Sequence, residues 1–289
     1  MNILLTGSTG FIGRNLADVL AASGHKVTGV SRSSGVDFCR MLQPADWLPY
    51  LAGVDVVINC VGIIGEAGSQ SFTKLHASAP IALFQACVQT GIKKVIQISA
   101  LGADHTAFSE YHLSKRAADD YLRSLDLDWF VLRPSLIYGR GGKSAELFMW
   151  LARLPVIPVI GSGQQVVQPV HIGDVVATVL RCMDVDKAKL TLDIVGSDSI
   201  AFAEWLQLMR DAQGFSRAVL LPIPFSLAIP AAHVARFLNP IFQPENLQML
   251  KVGYRADVQP LQEFLGRAPL KLTKELFFMD AMTSLESFV

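Results

Sequence analysis

From Asn2 onward the chain alternates short apolar runs with stretches whose apolar residues recur at helical spacing. Ile3, Leu4 and Leu5 form the first run, and Ile12, Leu16, Val19 and Leu20 then mark one face of a helix that stops at Ser23 and Gly24. Apolar runs follow at residues 26–30, 54–61, 94–99, 129–133 and 190–195. Such near-continuous runs are what strands covered on both faces require. Between them, residues 79–90 (closed by Gly91) and 111–125 have helical spacing. Strands alternating with helices predict an α/β architecture built on a doubly wound parallel sheet.

The rhythm loosens after Tyr138. Glycines at 139, 141, 142, 161 and 163 mark loops around a helix at 145–154, and another helix is expected after His171 to Asp174. The tail, 200–289, reads as mostly helical with several prolines; within it, 219–238 reads as an extended stretch leading into an apolar helix from about Ser226. The expected division is a sheet domain at 1–138, with 166–195 returning to it. Residues 139–165 and 196–289 are expected to form a smaller, mostly helical lobe for a substrate or partner. The apolar helix is expected to pack in the core, cap a substrate cleft, meet a partner or rest on a membrane surface.

Composition narrows the classes. The 25 basic and 25 acidic residues balance, so the chain lacks the basic surface that nucleic-acid backbones demand. Hydrophobic residues make up 51% of the chain, yet no stretch of about 18 residues is free of breakers or charge. The four cysteines and six histidines show no paired or ligand-like spacing. No metal is expected, and Trp47, Trp129, Trp150 and Trp205 are expected in cores or interfaces. With the first glycine turn at residue 7, no leader is expected and a cytoplasmic location is.

The candidate chemistry begins where the first run meets that turn, at Gly7-Ser8-Thr9-Gly10-Phe11-Ile12-Gly13. Strand, glycine-spaced turn and helix start in this order make a phosphate cradle. Gly7 suits the tight turn, Gly10 leaves room for a pyrophosphate, and Gly13 lets the helix pack close. The helix then directs its N–H groups and positive dipole end at the phosphates. The pattern predicts dinucleotide binding, and the residues after each strand are expected to line one crevice. After the second strand, 31–34 reads Ser-Arg-Ser-Ser without the carboxylate that would bind free ribose hydroxyls. Arg32, helped by Ser31 and Ser33, suits a 2′-phosphate, which favours NADP(H) over NAD(H). Tyr111 and Lys115 lie one helical turn apart. A lysine cation beside a phenol is expected to favour tyrosinate and make the phenol a usable acid or base.

Together these motifs resemble the short-chain dehydrogenase/reductase superfamily, in its extended and atypical branches: Rossmann-fold proteins with TGxxGxxG and YxxxK motifs. Further matches are Asn59-Cys60-Val61-Gly62, residues 132–139 and residues 170–175. Residues 98–104 with Tyr111 to Lys115 look most like the branch holding the NADPH-binding accessory subunit of respiratory complex I and its bacterial relatives. The resemblance covers roughly residues 1–200. It implies that residues 7–13 hold the pyrophosphate and that Asp37 and Phe38 border the adenine. Cys60, Val61 and Gly62 would line the ribose side, and Pro134, Ser135, Leu136 and Ile137 the nicotinamide. Tyr111 would donate the proton and Lys115 would anchor the ribose. The third catalytic member, a serine or threonine, falls near Leu101, which cannot donate a hydrogen bond; Ser99 or Ser109 would stand in.

Three functions follow as expectations. The first is an NADP(H)-linked reductase or dehydrogenase passing hydride to a carbonyl or quinone-like apolar substrate, with Tyr111 exchanging the proton. The second is an NAD-dependent sugar-nucleotide epimerase or dehydratase, for which Arg140 and Lys143 could hold a phosphate. The third is a non-catalytic NADPH binder with a structural or sensing role. The expected partners are a small apolar substrate and, by the resemblance, a membrane surface or respiratory complex approached peripherally.

Overall fold

In the computed structural model, residues 1–186, 188–237 and 242–286 are described. The chain opens with β1 (Asn2–Thr6), α1 (Phe11–Ala22), β2 (Lys26–Val30), α2 (Pro44–Leu51), β3 (Val56–Asn59), α3 (Ala79–Thr90), β4 (Lys94–Ile98), α4 (Glu110–Arg123) and β5 (Asp128–Pro134). It continues through β6 (Ile137–Tyr138), α5 (Lys143–Ala152), β7 (Val156–Ile160), β8 (Val166–Val167), β9 (Val170–His171), α6 (Ile172–Asp184) and β10 (Lys189–Ile194). The remainder is β11 (Ile200–Ala201), α7 (Phe202–Ala212), β12 (Val219–Ile223), α8 (Phe225–Ala235), α9 (Pro244–Val252), α10 (Gln259–Leu265) and α11 (Ala281–Glu286).

Two compact units result, one of residues 1–134 with 175–194, the other of residues 135–174 with 195–289. In the first, six parallel strands run in the order β10-β5-β4-β3-β1-β2. This is the doubly wound Rossmann sheet that the alternating pattern predicts. All four residues of β3 are buried, whereas edge strand β2 exposes Lys26, Thr28 and Gly29. A core of Leu4, Val57, Leu83, Phe84, Val95, Leu122 and Val131 lies between sheet and helices. Chain order reverses between β1 and β3, and their following loops diverge there, which is where such sheets open a ligand crevice.

The second unit is mostly helical among its described residues, as expected for the tail, and also carries short strand pairs. β12 pairs in parallel with β7 and β6 with β9, while β8 and β11 pair antiparallel. Residues 166–174 stay in this unit through the last two pairings. Its core gathers Tyr138, Trp205, Leu206, Met209 and Phe277, with Trp205 and Phe277 rings 5.0 Å apart. Two buried polar residues pin the chain returning over it. His171 Nε2 lies 3.1 Å from Leu276 O. Asp174 accepts from Leu270 N at 2.8 Å and pairs with Arg267 at 2.8 Å. Trp47, Trp129 and Trp205 are buried as expected, but Trp150 is 57% exposed, which corrects the expectation for that one.

Candidate active site

The first unit assembles the glycine turn as follows. Gly7 sits at φ +69°, and a Cβ there would lie 2.9 Å from the Cys60 carbonyl carbon, so the loops after β1 and β3 touch at that point. Gly7 N donates to Val30 O and Gly10 N to Gly7 O, both at 2.9 Å, which closes the turn. A Cβ on Gly13 would lie 2.2 Å from Gly7 O and 2.9 Å from Ser8 Cα; the helix is seated directly on the turn. Gly10 caps α1 without a side chain, and no acid occupies the first helical turn. The N–H groups and dipole end of α1 thus form a site suited to an anion. Behind the turn, Thr6 Oγ1 donates to Asn59 Oδ1 at 2.5 Å and Asn59 Nδ2 to Gln97 Oε1 at 2.7 Å, locking three strand ends together. The cradle therefore fits a pyrophosphate.

After β2 the chain makes a tight turn over Arg32–Ser34, ending at Gly35 with φ +84°. Ser31 and Ser33 hydroxyls lie 2.8 Å apart, and Ser34 Oγ donates to Ser31 O at 2.9 Å. These hydroxyls fix the turn while Arg32 is exposed. Arg32, Gly35, Asp37 and residues 67–70 line a cavity of about 450 Å³. Asp37 accepts from Cys39 N at 3.0 Å. The buried ring of Phe38 packs on Trp47, with centroids 5.4 Å apart, so its side chain belongs to the core.

Lys115 is buried, and its ammonium donates to Val61 O at 3.2 Å and Ile98 O at 3.1 Å, at the carboxyl ends of β3 and β4. Gly62 makes room for it, since a Cβ there would stand 3.1 Å from Lys115 Nζ. Burial lowers the Lys115 pKa to about 8, against the opposing pull of Asp119. Burial also pushes the Tyr111 phenol up to about 12, with Asp119 adding to the rise. The expectation that lysine would favour tyrosinate is thus overturned: burial first, and then the Asp119 carboxylate, hold the phenol protonated. The Cys60 thiol is likewise pushed up to about 12 by burial and remains a thiol at neutral pH.

The Ser99 hydroxyl is buried and donates to Asp119, a carboxyl that burial raises to about 6. Ser109 caps α4, accepting from His112 N at 3.2 Å. Pro134 closes β5 and accepts from Leu101 N at 2.9 Å. Ser135, Leu136 and Ile137 belong to the second unit. There Ser135 donates to Gln168 O at 2.5 Å, Leu136 O accepts from Val170 N at 3.0 Å, and Ile137 pairs with Val170. The side chain of Lys143 lies outside the described residues.

His76 is a site residue that the motifs did not disclose. It is buried in a wide helical turn before α3, and its ring stands edge-on to Tyr111 at 5.3 Å. Nε2 accepts from Ile63 N at 3.0 Å, which leaves the proton on Nδ1 to be donated to Ser114 Oγ at 3.0 Å. Ser114 donates in turn to Tyr111 O at 2.9 Å. Burial holds His76 well below its ordinary pKa, so it is a neutral strut behind the tyrosine. Among the described residues, no cluster could hold a metal ion.

The lysine's lowered pKa has a stability consequence. An unfolded lysine keeps its proton up to about 10.5, while the folded one loses it near 8. Between those values the unfolded lysine binds more proton, so this residue's contribution to stability rises with pH. Buried thiols pull the other way from about pH 9, so the lysine's share is read as a difference. Unliganded wild type is expected to gain in thermal midpoint relative to Lys115→Met as pH rises from about 8 to about 10. An unchanged slope in the variant would contradict the assignment.

Parallel sheet, glycine turn and tyrosine–lysine helix define a dinucleotide-binding protein of the short-chain dehydrogenase/reductase class. The family model for the NAD dependent epimerase/dehydratase family matches residues 3–194. The chain belongs to that family, and its fold is the NAD(P)-binding fold of epimerase, dehydratase and reductase type. A ceramide reductase of Caulobacter vibrioides is 29% identical over 223 residues, covering 73% of this chain and 69% of that protein. The mitochondrial NADH dehydrogenase [ubiquinone] 1 alpha subcomplex subunit 9 of Arabidopsis thaliana is 29% identical over 248 residues. That match spans 78% of this chain but 61% of the subunit. MoeE5, solved with UDP-glucuronic acid and NAD, shares the fold with a TM-score of 0.74 at 20% identity, over 99% of this chain and 100% of its own.

Proposed function

We propose that this protein is an NADP(H)-linked reductase acting on the carbonyl of an apolar substrate. The observation that carries the proposal is the Tyr111–Lys115 pair on α4, with the lysine head hydrogen-bonded to the loop after β3 and the end of β4. Lys115 would hold the nicotinamide ribose, its third N–H donating to a ribose hydroxyl beside the two backbone carbonyls it already meets. A dinucleotide held by residues 7–13 and Lys115 would supply the hydride for the carbonyl carbon. Tyr111, held in its protonated form at neutral pH, would give its proton to the carbonyl oxygen and recover it from solvent. An alkoxide is far more basic than a phenolate, so that transfer runs downhill even with the raised phenol pKa. The second unit would carry the substrate or partner surface.

Arg32 supports NADP(H) over NAD(H): it lines its cavity as the one cation among the seven lining residues. Thermal unfolding with NADPH and with NADH tests this reading. NADPH is expected to raise the midpoint by mass action, and Arg32→Ala to lower NADPH affinity roughly tenfold, the loss of one charge-assisted contact. A larger shift with NADH, unchanged by the substitution, would refute the 2′-phosphate assignment.

The reductase reading draws on the resemblance to the ceramide reductase. Two others keep specific support. The likeness to MoeE5 with its UDP-glucuronic acid and NAD favours a sugar-nucleotide epimerase, which would retain NAD and bind nucleotide sugars. Ser99 bonded to Asp119, and Leu101 standing where a hydroxyl donor is expected, favour a non-catalytic NADPH binder. The latter goes with the respiratory subunit among the relatives, and with it a peripheral place on a respiratory complex.

A further inference from the structure

Among its described residues, the second unit exposes an apolar surface around α8. α8 has the sequence Phe-Ser-Leu-Ala-Ile-Pro-Ala-Ala-His-Val-Ala, apolar but for Ser226 and His233, and a helix so apolar is ordinarily enclosed. Only Ala228 and Ala232 within it are buried. Leu227 is 64%, Val234 71% and the following Phe237 80% exposed. The strand leading into the helix adds Val219 and Leu221, both also exposed. At 11 residues α8 is far too short to cross a bilayer, and no helix among the described residues is long and apolar enough to do so.

Charge identifies the occupant. Between Asp211 and Glu245 the sequence contains no carboxylate, but it holds Arg217, His233 and Arg236. Arg217 pairs with Glu204 at 2.7 Å on the surface, which offsets its charge. Arg236 stands over the exposed Phe237 ring at 5.1 Å, and Lys251 of α9 over the Phe225 ring at 5.3 Å. An aliphatic face bordered by cations, each lying on an aromatic ring, matches the boundary between acyl chains and anionic headgroups. A protein partner of ordinary composition would ask for hydrogen-bonding groups within the patch, and on α8 only Ser226 and His233 carry polar side chains.

We propose that α8, with Phe237 beside it, docks the protein on the surface of an anionic lipid bilayer. Leu227, Val234 and Phe237 enter the acyl boundary, and Arg236 and Lys251 meet the headgroups. The proposal stands apart from the cofactor reading, since none of these residues belongs to the cradle or to the tyrosine–lysine helix.

The test is flotation of the full chain with vesicles of phosphatidylcholine alone or mixed with phosphatidylglycerol, beside sedimentation of the protein without lipid. Wild type is expected to float with the mixed vesicles and more weakly with the neutral ones. L227E/V234E is expected to lose at least tenfold in partitioning while keeping its thermal midpoint, because both side chains are exposed. R236Q is expected to lose about fivefold on mixed vesicles only. Failure of wild type to float, or equal flotation of L227E/V234E, would overturn the proposal. So would a lipid-free dimer that L227E/V234E dissociates, since the face would then be covered by a second copy.

Discussion

Tyr111→Phe is expected to slow NADPH oxidation with apolar aldehydes and ketones by about 10²- to 10⁴-fold, the usual contribution of a positioned proton donor. The substitution removes only the phenolic oxygen. The ring keeps its neighbours, Phe72 at 5.9 Å, His76 at 5.3 Å and His112 at 5.2 Å. Lys115 keeps its two backbone carbonyls. The thermal shift produced by NADPH should therefore persist while turnover collapses. That split distinguishes a proton donor from a residue that merely shapes the cofactor site. Turnover within a few-fold of wild type would remove Tyr111 from the chemistry.

Gly13→Ala is the second large effect, and its sign is diagnostic. In an ordinary helix interior the change gains about 1 kcal/mol, because alanine is the better helix former. Here the new methyl would stand 2.2 Å from Gly7 O and 2.8 Å from Gly7 C. These are backbone atoms of the turn itself, with no flexible side chain to yield. Helix and turn must separate, at about 1–3 kcal/mol of strain by the usual measure of overpacking, and the cradle opens with them. A lower thermal midpoint together with at least a tenfold loss of NADPH affinity is expected in calorimetric titration. A stabilised variant that binds NADPH normally would show that α1 is not seated on the phosphate turn.

What the sequence revealed follows how locally each feature is encoded. The β1–glycine–α1 unit could be read residue by residue, because strand, turn and helix start are fixed by neighbours in the chain. The other sheet strands were legible to within two residues, since strands covered on both faces are apolar runs. The pairing of β7 with β12 was not: it joins segments more than 60 residues apart, with Pro158 and Pro222 inside them. Proline is tolerated there because in a two-stranded pair each strand is an edge. α2, with Pro49 in its interior, also gave no helical signal.

At the site, the Tyr111–Lys115 spacing was visible but the energetics were not. Proximity of charge argued for a lowered phenol pKa, and burial, which no residue pattern prints, reversed the sign. Ser99 looked like a hydroxyl at the end of a strand until Asp119, 20 residues later, claimed its proton. His76 was silent because its meaning lies in Ser114, 38 residues away, and in the Ile63 amide.

A crystal structure of the protein with NADPH is the most direct test of the central claim. The account predicts the pyrophosphate on the turn of residues 7–13 and the 2′-phosphate against Arg32. It places the nicotinamide ribose within hydrogen-bond reach of Lys115 Nζ, with the ring beside Tyr111. NADPH bound with Arg32 turned away from the phosphate and the ribose out of reach of Lys115 would contradict it.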